Sequence, residues 1–211
     1  MWFQDATSAN CGVNMRDNRG DSTYKSIKYT TAKIGDLCWM TRNLDLPGGT
    51  ALTSSDTNLT TSFTLPASST SGFNVQNTDY VYNSSSTYND TSCGDNNPCY
   101  SYYSFYTATA HWGKSSVTSG NSSVDICPKG WRLPTYSEMI GITSSVSSFS
   151  PVYSGLYRNS AFLYGGKYGY WWSSTVNDAG SAFYLDYGNG NLGTNYYWKD
   201  NGRAIRCVAK S

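Results

Sequence analysis

Helix signal in this chain is confined to two short stretches, and this limits the possible folds more than any other feature. Tyr102, Phe105, Tyr106 and Thr109 fall at i, i+3, i+4 and i+7, which predicts a helix over residues 100–112. Pro134 followed by Thr135-Tyr136-Ser137-Glu138 is a capping box. It predicts a second helix ending near Ser147, with Tyr136, Met139, Ile140 and Thr143 on one face. The remainder reads as strand or loop. Residues 23–46 read as a hairpin: Thr23 to Tyr29 alternates, Ile34-Gly35-Asp36 turns, and Leu37-Cys38-Trp39-Met40 is a buried run. Trp171-Trp172-Ser173-Ser174 and Ala182 to Tyr187 read as strands, the latter with Phe183, Leu185 and Tyr187 inward and Tyr184 and Asp186 outward. Gly188 to Gly193 is a turn, and Ala204 to Val208 a closing strand. Strands, two helices, then strands predict an α+β domain with short mixed or antiparallel sheets and much irregular loop.

Composition narrows the function. The 211 residues hold 15 Lys and Arg against 14 Asp and Glu, beside 32 Ser, 22 Thr, 18 Asn and 19 Tyr. Solubility therefore comes from hydroxyls and amides. No basic stripe exists for a nucleic acid. No apolar run spans a membrane, and residues 1–5 show no signal-peptide pattern. The single His111 and single Glu138 leave little for a multi-histidine metal site, a catalytic triad or a carboxylate pair. His111 closes the first predicted helix and Glu138 caps the second, so no catalytic residue, metal site or cofactor is assigned and no enzymatic activity is expected. Residues 47–97 are Ser/Thr/Asn-rich and predict a loop insertion on a single domain spanning 1–211.

The six cysteines are Cys11, Cys38, Cys93, Cys99, Cys127 and Cys207. Their spacing lacks the short pairs of a zinc site, and disulfides are the favoured reading. Cys93–Cys99 closes a short polar loop. Cys127–Cys207 and Cys11–Cys38 are favoured among the pairings that sequence leaves open. Disulfides with low charge predict an extracellular or cell-surface protein.

Ile126-Cys-Pro-Lys-Gly-Trp-Arg-Leu-Pro134 resembles the Fibrobacter succinogenes major paralogous domain family, which has a C-type-lectin-like fold. So do Arg16 to Tyr24 with Ile34 to Leu44, Trp171 to Thr175, and Gly202 to Val208. The resemblance implies that fold, with Trp39, Trp131 and Trp171 in the core. It extends to variable proteins of diversity-generating retroelements, in which adenine-directed mutagenesis rewrites codons near the end of the gene. Residues 168–203 resemble such a region. Tyr168, Tyr170, Asn177, Asp178, Ser181, Tyr184, Asp186, Asn189, Asn195, Tyr196, Tyr197, Trp198, Lys199 and Asp200 lie between scaffold-like Trp172, Ser173, Ser174, Phe183, Leu185, Gly190 and Gly202.

Tyr196-Tyr197-Trp198 cannot all point inward on a strand, because neighbours face opposite sides. Exposed Tyr and Trp among Asn, Ser and Asp match the chemistry of a paratope. The expected partner is a protein or glycan on another cell, phage or host surface. The alternatives are a lectin-like domain of fixed specificity and a structural surface domain. Calcium-dependent sugar binding lacks its motifs here: Trp198-Lys199-Asp200 has no Asn, and Asp17, Asp21, Asp90 and Asp95 have no convincing spacing. Arg19-Gly20-Asp21 spells an adhesion tripeptide and carries little weight.

Overall fold

A computed structural model describes residues 1–3, 11–20, 25, 27–66, 81–83, 101–111, 117–159 and 161–210. Small antiparallel sheets dominate, with short helices between them. The elements run β1 (Thr31–Ile34), β2 (Leu37–Met40), β3 (Ala51–Leu52), β4 (Phe63–Thr64), β5 (Val81–Asn83), β6 (Ser101–Tyr103), α1 (Phe105–Ala108), β7 (Gly120–Asn121), α2 (Tyr136–Gly141), α3 (Val146–Phe149), β8 (Leu156–Arg158), β9 (Ala161–Leu163), β10 (Tyr168–Val176), β11 (Ser181–Gly188), β12 (Asn191–Trp198) and β13 (Val208–Lys210).

β13, near the C-terminus, joins the β1–β2 hairpin in one sheet of order β1-β2-β13. Cys11–Cys38 ties the N-terminal segment to β2, and Cys127–Cys207 ties the loop before α2 to the start of β13. Both favoured pairings among described cysteines are thus formed, and Cys93–Cys99 lies outside the described residues. These two disulfides fit an extracellular protein. Among the described residues no helix is long and apolar enough to cross a membrane.

The larger sheet has the order β12-β11-β10-β7. Gly188 pairs with Asn191, so β11 and β12 are joined by a two-residue loop. Asn189 at φ +51° and Gly190 at φ +80° give it the two left-handed residues of a type I′ turn, whose twist matches that of the flanking strands. On one side of the sheet Trp171, Leu185 and Leu192 pack with Met139, Ile142 and Phe149. On the other side Trp172, Ala182 and Tyr184 join the main core with Trp131, Phe105 and Tyr103.

Several local expectations shift. The hairpin forms, but its first strand is Thr31–Ile34; residues 21–24 and 26 lie outside the described set. Over 100–112, Ser101–Tyr103 is a strand paired with β5, and the helix is a single turn capped by Ser104. The aromatic spacing that suggests a longer helix instead reflects burial on all sides, since Tyr102, Tyr103, Phe105 and Tyr106 are all buried. The capping box is present as read, with Thr135 and Glu138 exchanging hydrogen bonds. The helix, however, stops at Gly141 and resumes as α3, and Ile140 points outward, 47% exposed, while Met139 and Ile142 face the core. Residues 47–66 are not a surface loop: Leu52, Leu59, Phe63 and Leu65 are buried in the main core.

Candidate ligand-binding face

One face of the larger sheet is laid out in rows by the strand register. Tyr168, Gly188 and Asn191 form the first row, Tyr170, Asp186 and Gly193 the second, Trp172, Tyr184 and Asn195 the third, and Ala182 with Tyr197 the fourth. The third row is roofed. The buried Arg203 guanidinium lies 4.1 Å from the Trp172 ring and 4.1 Å from the Tyr184 ring. It reaches 5.8 Å from Tyr197 and 6.0 Å from Tyr170. A cation clamped between aromatic faces in a dry site gains from their quadrupoles. Arg203 belongs to the buried segment 201–207, which bridges to Tyr103, Tyr157 and Trp171. Arg206 from the same segment donates to Asn43 Oδ1, Phe149 O and Ser150 O. Arg203 thus covers the third row on this face, and Arg206 packs against Phe149 and Trp171 on the opposite side of the sheet.

The first two rows stay open. Tyr168 lies across Gly188 so closely that a Cβ there would sit 2.4 Å from the ring. A Cβ on Gly193 would sit 2.8 Å from the Asp186 carboxylate. The two glycines thus let neighbouring side chains lie down across the sheet. Tyr164, 45% exposed, extends the surface, with its ring 5.8 Å from Tyr168 and 6.4 Å from Tyr170. Lys167 Nζ stands 5.5 Å above the Tyr168 ring. Arg158 donates to the Tyr197 hydroxyl at 3.2 Å and packs 5.5 Å from its ring. Burial raises the Asp186 carboxyl above the usual range, and Arg203 opposes the rise. Burial, with the charges of Tyr184 and Asp186, pushes the Tyr170 phenol up to about 12. The face therefore offers tyrosine hydroxyls, the Asp186 carboxyl near the Arg203 guanidinium, and the amides of Asn191 and Asn195.

The fourteen residues singled out in the sequence separate accordingly. Tyr168, Tyr170, Asp186, Asn195 and Tyr197 share this face, and Asp200 lies within electrostatic reach of Arg203. Tyr184 is inward, not outward as the alternation implies, because Arg203 covers the face that alternation alone would leave to solvent. Lys199 is buried, with Nζ donating to Val117 O at 2.8 Å and Ala179 O at 3.1 Å, and burial lowers its pKa. Ser181 is buried. Asn177 and Asp178 build the β10–β11 turn, where Asp178 Oδ1 accepts from Gly180 N and Ser181 N at 2.8 Å each. Asn189 forms the opposite turn. Tyr196 and Trp198 are 52% and 60% exposed, and the register sets them on the other face from Tyr197. Sequence reasoning omits Tyr164, Arg158, Lys167 and the glycines under the face; the Tyr164-Gly-Gly-Lys-Tyr168 run was the available signal for the first and third.

Within the adhesion tripeptide, Arg19 has a structural role. Arg19 is buried, its Nη1 bonded to Ile126 O and its Nε and Nη2 to Asp17. No family model, curated protein or solved structure matches this chain.

Proposed function

We propose that the chain is a C-type-lectin-like domain that binds a macromolecular ligand through the open rows of β10–β12, and that it is a variable protein of a diversity-generating retroelement. The observation that carries this reading is the contrast between the layers. Tyr168, Tyr170, Asp186, Asn195 and Tyr197 are partly or wholly solvent-facing and form an outer layer beside an inner set, Trp172, Tyr184, Leu185 and Arg203, that is buried and tightly packed. A binding protein with changeable specificity needs this division, because changes at the upper layer leave the core intact. Tyr and Asn at the surface positions supply contact area at low entropic cost and adaptable hydrogen bonds.

Two libraries displayed on yeast test the reading without knowledge of the natural ligand. The first randomises Tyr168, Tyr170, Asp186, Asn195 and Tyr197. The second randomises Trp172, Tyr184, Leu185 and Arg203. Most members of the first should resist protease as the parent does and yield binders to unrelated test proteins. The second should lose protease resistance in most members. Equal loss of folding in both libraries refutes the proposal.

A further inference from the structure

The larger sheet has two edges of opposite character. β7 at one edge is only two residues long, a common way of blunting an edge. β12 at the other is eight residues long, Asn191-Leu-Gly-Thr-Asn-Tyr-Tyr-Trp198, with no charge, no proline and an unbroken register against β11. Among the described residues no strand pairs with its outer side. Long uncharged edges are templates for pairing with another chain.

The register states which groups are offered. Gly188 and Asn191 close a two-residue turn and form a hydrogen-bonded pair, so by alternation Gly193, Asn195 and Tyr197 also bond to β11. Leu192, Thr194 and Tyr196 therefore turn their N–H and C=O groups outward. The Tyr196 N–H agrees: it donates to the neighbouring Asn195 side chain at 2.9 Å and not to β11. The side chains of these outward residues lie on the face away from the candidate ligand site. There Tyr196 meets Phe183 edge-on at 5.8 Å, Phe183 stacks on Tyr136 at 4.1 Å, and Ile140 is exposed nearby on α2.

We propose that β12 pairs antiparallel with β12 of a second copy of this chain, about a two-fold axis at Thr194. An antiparallel edge is complementary to itself, and an uncharged one meets its own copy without repulsion. Thr194 then faces Thr194 of the second copy, and Leu192 faces Tyr196. The two four-stranded sheets become one of eight strands. Tyr196 and Trp198, which have no place in the open rows, are covered in part by the assembly. The rows of Tyr168, Tyr170 and Asp186 from both copies then lie on one continuous face, so two weak contacts act together.

Sedimentation equilibrium on the intact, oxidised chain tests this. The wild type is expected to be a dimer at micromolar concentration. Thr194→Pro removes the central outward N–H and should give a monomer. Thr194→Lys and Thr194→Glu each place like charges at the axis. Each should dimerise more weakly than the wild type, and an equimolar mixture of the two should associate roughly tenfold more tightly than either alone. Circular dichroism matching the wild type establishes that each variant is folded, and the charge pair answers the question if the proline variant does not fold. A wild type that stays monomeric at 100-fold higher concentration overturns the proposal. So does a dimer that all three substitutions leave unchanged, or a Lys/Glu mixture that associates no better than its parts.

Discussion

Replacing Asp45 by Asn should stabilise the protein at alkaline pH and do almost nothing in acid. Asp45 is buried among neutral hydroxyls. Ser101 Oγ donates to its carboxylate, and its backbone N–H donates to the Tyr29 hydroxyl at 3.1 Å. Burial raises its pKa from 3.8 to about 6, against the Ser101 hydrogen bond and the Arg42 charge, which lower it. A carboxyl with a raised folded-state pKa holds its proton more tightly folded than unfolded. Ionisation therefore opposes folding, and the cost grows as pH rises from 3.8 through 6. The rise corresponds to about 3 kcal/mol at pH 8, about 1.5 kcal/mol at pH 5 and about 0.5 kcal/mol at pH 4. Asn keeps an oxygen for Ser101 and carries no charge, so Asp45→Asn removes that cost. Urea unfolding of both proteins at pH 4, 5 and 8 should show the gain of the variant growing along that series. A gain independent of pH, or a loss at pH 8, refutes the reasoning.

Three further outcomes follow from packing and cross-links. Lys199→Ala leaves the Val117 and Ala179 carbonyls without their cation and should lose about 2–3 kcal/mol by chemical denaturation, which a merely exposed contact lysine would not. Removing Cys127–Cys207, with a separation of 80 residues, should lose about 4.5 kcal/mol, and removing Cys11–Cys38, with 27, about 3.5 kcal/mol, in the same assay. Gly188→Ala drives a methyl into the Tyr168 ring and should lose about 1–2 kcal/mol, but under about 0.5 kcal/mol in a Tyr168→Ala background, because the clash is then gone.

The parts of the fold legible in the sequence are those fixed locally. The capping box at Thr135 and Glu138 needs four residues, and the I′ turn at Asn189-Gly190 needs two. Alternation placed Leu185 inward correctly. It failed for Tyr184 because β11 is covered on both faces at that row, and the cover is Arg203, which reaches the ring from a segment beyond β12. Local periodicity carries no information about that segment. The same lack of distant information affected residues 101–109, where a buried strand followed by one helical turn shares the spacing of a longer helix. At the candidate site, composition singled out a stretch of chain without dividing it between the two faces of the sheet. Only register divided it, setting Tyr197 with Tyr168 and Tyr170, and Tyr196 and Trp198 on the opposite side. Lys199 resembled a contact residue in sequence because nothing nearby in the chain announces the two carbonyls that hold it.

The most direct test of the diversified binding face is deep sequencing of this gene across a population of its host. Adenine-directed substitutions should concentrate at codons for the wholly or partly exposed side chains of this face, such as Tyr168, Tyr170, Asp186, Asn195 and Tyr197. Codons for Trp172, Leu185, Gly188 and Arg203 should be constant, as should the gene upstream of about residue 164. A uniform gene, or substitutions spread evenly over the buried inner set and the exposed side chains, would contradict the account.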